Sequence, residues 1–356
     1  MGTDRAGRAF IGSFTTAGGR GVTAVAVDEE TGALTPLGSS DHVANPSFLV
    51  ASPDGAVLYA VGENAHGTAA AFDIRDDLPR PLGEPVPVGG SGPTHLDLAA
   101  GHLLTANYDS GSVTALPVLP GGGLGPAASV LVHQGSGPDP DRQREPHAHQ
   151  VLADPSGRWI VSVDLGTDSV RVCSLTEETG ALSLRSEAAL RPGSGPRHLV
   201  FHPSGRHAYV LNELAPTLTV CRWDAAAGAL EPLHEVPVVE DAASGEIYPS
   251  EVVVGHDGRF LWAANRGHDS IAVLALDPTG EKAALVTTVD CGGHWPRDLT
   301  LDPTGRRLYA SNERSGDVTW FDIDAATGVP TRTGEWVGAG IPHLYAGVVE
   351  ATGVVG

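Results

Sequence analysis

The sequence predicts an all-β fold, a seven-bladed β-propeller of four-stranded antiparallel blades, on three observations. A proline opens a strand-like segment seven times, at Pro46, Pro93, Pro146, Pro196, Pro249, Pro296 and Pro342, in steps of 46 to 53 residues. Six of these segments run into a polar turn that ends in glycine, at Gly55, Gly101, Gly157, Gly205, Gly258 and Gly305. No stretch sustains apolar residues at helical spacing for more than a couple of turns. A repeat of this size is one supersecondary unit copied around an axis.

The fourth unit shows the order of strands. Gly195-Pro-Arg-His-Leu-Val-Phe-His-Pro-Ser-Gly205 leads into Arg206-His-Ala-Tyr-Val-Leu-Asn-Glu213, then Thr217-Leu-Thr-Val-Cys-Arg-Trp-Asp224, then a turn at Gly228 and Ala229-Leu-Glu-Pro-Leu. These are four short β-rich runs, a to d, separated by Gly, Pro, Asp and Ser. The Leu98-Ala-Ala-Gly101 unit is a degenerate copy. Arg8-Ala-Phe-Ile-Gly-Ser-Phe reads as a strand b without its strand a, and Pro342-His-Leu-Tyr-Ala-Gly-Val-Val as a strand a without the rest. Pairing the two would close the ring and remove an open sheet edge. The repeat spans the chain, so residues 1–356 are expected to form a single propeller domain. The tryptophan-aspartate repeat family fits less well, because Trp223-Asp224 stands alone.

Composition narrows the function. With 41% hydrophobic residues the chain is globular and has no apolar run of membrane-spanning length. The formal charge of −21 argues against nucleic acid or an anionic membrane as a partner. It leaves room for a small anionic substrate, since a local arginine cluster acts within a Debye length of about 8 Å. Cys173, Cys221 and Cys291 are odd in number and scattered, as expected of reduced, buried thiols. Together with a start that lacks a signal-peptide apolar core, they predict a cytoplasmic protein. The oligomeric state is left open, a monomer being compatible.

In an antiparallel hairpin the start of strand a and the end of strand b lie side by side. Aligned on their turn glycines, the units therefore place two columns on one face of the disc. At the start of strand a stand Ser47, Thr94, His149, Arg197, Ser250, Arg297 and His343, flanked by Phe48, His95, Gln150, His198, Glu251 and Asp298. At the end of strand b stand Glu63, Tyr108, Leu165, Glu213, Arg266 and Glu313, just after Gly62, Asn107, Asp164, Asn212, Asn265 and Asn312. Converging charges of both signs around an axial opening mark a candidate active site. The asparagines read as turn formers that bond their own backbone. Glu213 and Arg266 also suit an inter-blade ion pair. His147 and His149 share one strand face, but no third ligand stands at a recognisable spacing, so no metal or other cofactor is expected. Neither a Gly-x-Ser-x-Gly elbow nor a dinucleotide fingerprint occurs. Two long d-to-a insertions, residues 133–145 and 238–248, should overhang the same face, the first carrying Arg142 and Arg144 toward an anionic group.

At these residues the chain resembles the seven-bladed lactonase family, which holds propeller-type 6-phosphogluconolactonases and the fungal carboxy-cis,cis-muconate cyclase. The matching segments are Pro146-His-Ala-His-Gln150, residues 195–205, Leu211-Asn-Glu213, Tyr248-Pro-Ser-Glu251 and, most specifically, residues 257–270. The resemblance implies a lactonase of the pentose phosphate pathway that opens the lactone of a small anionic sugar acid. It implies His149, Glu213, Arg197 and Arg266 as catalytic groups. His147, His198, Glu251, His268, Arg297 and His95 are the accompanying substrate-binding candidates. His149 or Glu213 would be the base, and the arginines would face the oxyanion. A cyclase or isomerase of an unsaturated dicarboxylate, an unusual lactone or ester as substrate, and a non-catalytic ligand-binding propeller are the alternatives.

Overall fold

Short β-rich runs joined by tight glycine turns pair most readily with their chain neighbours, and the result is a ring of antiparallel meanders. The computed structural model describes residues 7–240, 242–337 and 345–351. They contain seven antiparallel sheets and one 3-10 turn, Thr15–Ala17. Blades are numbered here from the first proline. Their inner strands a are Leu49–Ala51, Pro93–Ala99, Ala148–Ala153, Pro196–Phe201, Tyr248–Val254, Pro296–Leu301 and Tyr345–Ala351. The matching strands b are Val57–Gly62, His102–Asn107, Ile160–Asp164, His207–Asn212, Phe260–Arg266, Arg307–Asn312 and Gly7–Ser13.

The predicted ring closure is present. Tyr345–Ala351 pairs antiparallel with Gly7–Ser13, so the last blade draws strand a from one end of the chain and strands b to d from the other. In blade 1 the outer edge is split into two short pieces, Arg80–Pro81 and Val86–Pro87, both paired with Thr68–Asp73. The degenerate turn of blade 2 is a two-residue hairpin: Ala99 pairs with His102, and Ala100 and Gly101 take φ of 45° and 72°. Both central residues of such a turn need positive φ, which glycine adopts freely and alanine does not.

Strands b and c are almost wholly buried, and the core lies between neighbouring blades. Val161, Val163, Val170 and Val172 of blade 3 pack on Leu199, Ala208, Val210 and Trp223 of blade 4. Tyr209 ties blade 4 to blade 5 by donating to the Gly280 carbonyl at 2.8 Å. The three cysteines are buried and in no disulfide, and burial raises their thiol pKa, that of Cys173 and Cys291 to about 12. They are packing residues.

The asparagines ending strands b differ from expectation. Asn107, Asn212, Asn265 and Asn312 are fully buried and donate across the b–c hairpin instead of to their own turn. Asn212 Nδ2, for example, lies 3.0 Å from both Thr217 Oγ1 and Thr219 Oγ1. A turn amide exposed to water would have no need of these partners; a buried one does. The brace fixes the end of strand b, and with it the residue that follows.

Candidate active site

Two backbone devices bring the columns together. In blades 3, 4 and 6 the pairing of strands a and b skips one residue, and the residue skipped is His149, Arg197 or Arg297. The same shift passes over Thr94 in blade 2 and over Ser250 and Glu251 in blade 5. A β-bulge bends the strand and re-aims the extra side chain, so neighbours such as Arg197 and His198 need not face opposite ways. The second device is a left-handed residue before the proline: Asn45, Gly92, Gly195 and Trp295, with φ between 53° and 66°. Its carbonyl accepts the N–H of the residue that follows strand b, as in Glu213 N–H to Gly195 O at 2.7 Å and Glu313 N–H to Trp295 O at 2.9 Å. Trp295 is a bulky residue in a conformation that costs ~1–3 kcal/mol.

Glu213 lies at the centre. Its Oε1 accepts Arg142 at 2.6 Å, and its Oε2 stands 2.8 Å from Arg266 Nη2 and 3.2 Å from Arg197 Nε. The last contact is an ion pair without hydrogen-bond alignment, since Arg197 Nε has no bonded partner. Burial opposes ionisation of Glu213, but Arg266, Arg197 and Arg142 outweigh it and hold the carboxyl at about 2. Arg197 is only 3% exposed, and burial together with Arg266 lowers its pKa. Three cations around one anion leave a local surplus of positive charge. The inter-blade ion pair between Glu213 and Arg266 is therefore real, and it is part of this larger cluster.

Aromatic and imidazole rings form the adjoining wall. His149 packs edge-on to Tyr108 and His198, with ring centroids 5.5 and 5.1 Å away. His95 meets His198 edge-on at 5.3 Å and lies against Phe48 at 4.0 Å. Desolvation first, then neighbouring cations, pushes His149 and His198 well below the usual imidazole range; His95 is lowered likewise, by burial and His198. All three are neutral at pH 7. His149 Nδ1 and His95 Nδ1 are buried without a hydrogen-bond partner.

The remaining candidates take different places. His147 stacks on Tyr108 with centroids 4.3 Å apart, and its Nδ1 meets the Tyr108 carbonyl at 3.0 Å. Glu251 bonds His198, Oε2 to Nδ1 at 2.7 Å. Arg297 forms a second ionic group with Glu313 at 2.9 Å and Glu63 at 3.5 Å, and its guanidinium lies over Phe14. His268 is tied to its own turn through Ser270 Oγ at 2.7 Å. His343 lies outside the described residues. Of the two insertion arginines, Arg142 reaches Glu213 and the Tyr108 hydroxyl, whereas Arg144 pairs locally with Asp141 at 3.4 Å. Arg142 is delivered because buried Gln143 pins the loop to Leu165 O and Asp168, both at 2.8 Å.

Two participants fall outside the residues proposed from sequence. Tyr108 was visible in the strand b column but carried no charge to single it out. Trp295 lies over Arg266, 5.8 Å from ring centroid to guanidinium carbon, and its signal was the missing glycine before Pro296. Among the described residues no three His, Cys, Asp or Glu side chains are grouped to hold a metal. What the arrangement can do is bind an anion on the arginines and accept a proton on a neutral, unpartnered imidazole.

Residues 8–345 match the family model described as lactonase, 7-bladed beta-propeller. A 6-phosphogluconolactonase of Bacillus subtilis is 33% identical over 328 residues, covering 90% of this chain and 92% of that protein. One from Formosa agariphila is 29% identical, covering 90% and 93%. The solved periplasmic gluconolactonase of Pseudomonas aeruginosa superposes with a TM-score of 0.89 at 28% identity, covering 97% of this chain and 98% of that one.

Proposed function

Because the chain belongs to the seven-bladed β-propeller lactonase family, we propose that it hydrolyses the lactone of a small anionic sugar acid, as a 6-phosphogluconolactonase does. The observation that carries this reading is the surplus of positive charge, buried Arg197 and Arg266 and half-buried Arg142 around the single carboxylate of Glu213. In a chain of formal charge −21, such a cluster is built for an anion.

His149 takes a proton from water, and the hydroxyl oxygen bonds to the lactone carbonyl carbon. The carbonyl oxygen becomes an oxyanion facing Arg197 and Arg266. Collapse re-forms the carbonyl and breaks the bond to the ring oxygen, which takes the proton back from His149 and leaves the open hydroxy acid. Of the two candidate bases, His149 suits the role and Glu213 does not. A carboxylate held at about 2 by three guanidinium groups is a weak base, and it serves better to space and orient them. The reaction needs no metal in this scheme.

The test is hydrolysis of freshly generated 6-phosphoglucono-δ-lactone above its spontaneous rate, with and without chelator. Chelator-insensitive acceleration that is lost in His149→Ala is expected. No acceleration by the wild type would refute this substrate and redirect the search to other lactones and to unsaturated dicarboxylates. Reduced, buried cysteines support residence in the cytoplasm, which cell fractionation would check against the periplasmic location of the similar Pseudomonas protein.

A further inference from the structure

Behind the arginines lies a buried chain of polar groups that the scheme above leaves without a task. Arg197 Nη1 is 3.3 Å from His198 Nε2 and also donates to the Ser250 carbonyl. His198 Nδ1 meets Glu251 Oε2 at 2.7 Å, and Glu251 Oε1 accepts the Val252 N–H at 2.9 Å. The Glu251 carboxyl in turn adjoins that of Asp298, whose Oδ2 accepts the Thr300 hydroxyl at 3.2 Å. Every acidic or basic member is at most 7% exposed.

The donors and acceptors favour one arrangement of protons. A guanidinium N–H can only donate, so His198 Nε2 must accept and the imidazole proton must sit on Nδ1. That proton points at Glu251. Both Glu251 oxygens then accept, which favours the carboxylate form. Two ionised carboxylates cannot share a dry site, so the proton between them belongs to Asp298. Burial raises both carboxyls, Asp298 well above the usual carboxylate range.

We propose that Asp298 and Glu251 are positioning residues for the hydrolysis: Asp298, as a protonated donor, fixes Glu251, which fixes the His198 tautomer, which holds the Arg197 guanidinium toward the oxyanion. The functional consequence rests on the proposed lactonase activity; the chain of hydrogen bonds does not. It also explains why a lone bulge residue keeps its orientation although its Nε is unbonded.

Two isosteric variants give opposite expectations. In Asp298→Asn the amide replaces a donor with a donor, and kcat on 6-phosphoglucono-δ-lactone should stay within about 3-fold of the wild type. In Glu251→Gln an amide NH2 faces either His198 Nδ1–H or Val252 N–H, donor against donor, and kcat should fall at least ~10-fold. The independent readout is the tautomer of His198 by nitrogen-15 correlation spectroscopy, its signal assigned by its loss in His198→Gln. Nδ1–H imidazole is expected in the wild type and Asp298→Asn, and a changed tautomer in Glu251→Gln. Equal behaviour of the two amide variants in this spectrum would overturn the relay whether or not the lactone is the substrate. Expected tautomers without any wild-type hydrolysis would uphold the relay and refute only the substrate.

Discussion

Replacing Glu213 by glutamine separates a base from an electrostatic keystone. The variant keeps the shape of the side chain and removes its charge, leaving Arg142, Arg197 and Arg266 to face one another. The drop of the Glu213 pKa from 4.5 to about 2 corresponds to ~3 kcal/mol of native-state stabilisation at 1.36 kcal/mol per unit. Breaking a buried ion pair by removing one partner typically costs ~3–5 kcal/mol, so the two routes agree. The sign follows from the lowered folded-state value. This stabilisation is complete above pH 4.5 and is lost as pH falls from there through about 2. Equilibrium urea denaturation at pH 7 should show the wild type more stable than Glu213→Gln by about that amount, with the gap closing in acid. Activity should fall as well, because the arginines lose their spacing, but the acid limb of the pH–rate profile should persist. A variant as stable as the wild type at pH 7 would refute the electrostatic account. Disappearance of the acid limb would restore Glu213 as the base.

Other consequences follow from the same geometry. Arg197→Ala and Arg266→Ala should each lower kcat by at least ~100-fold, the usual worth of an oxyanion donor, and near-native turnover in folded protein would exclude that role. His149 lies well below the normal imidazole pKa, so it is the free base at neutral pH. The acid limb of kcat/KM should therefore fall below pH 6.5 and be absent from the residual rate of His149→Ala; a limb at or above 6.5 would contradict it. Arg142, on its loop and partly exposed, should act mainly in binding. Arg142→Ala should raise KM more than it lowers kcat, and an equal fall in kcat and kcat/KM would place it at the transition state instead.

The periodic prolines and glycines were enough to specify the blades, because strand length and turn position depend on local backbone preferences that each residue carries with it. Ring closure was legible for the same reason: Arg8–Ser13 and the segment after Pro342 are complementary fragments of one repeat. The two columns were legible too, since antiparallel pairing dictates which ends of strands a and b adjoin. Roles within the columns were another matter. Whether Glu213 is a base or a spacer depends on how many cations reach it, and one of them, Arg142, arrives on a loop 71 residues away in sequence. His198 and Asp298 look like ordinary neighbours of Arg197 and Arg297, and only the bulges reveal that they turn inward behind the arginines. The architecture, the face and the residue types on it follow from short-range periodicity and so were readable from the amino-acid order. Tertiary structure alone decided the protonation states and the division of labour, because desolvation and Coulomb interaction depend on distances between residues from different blades.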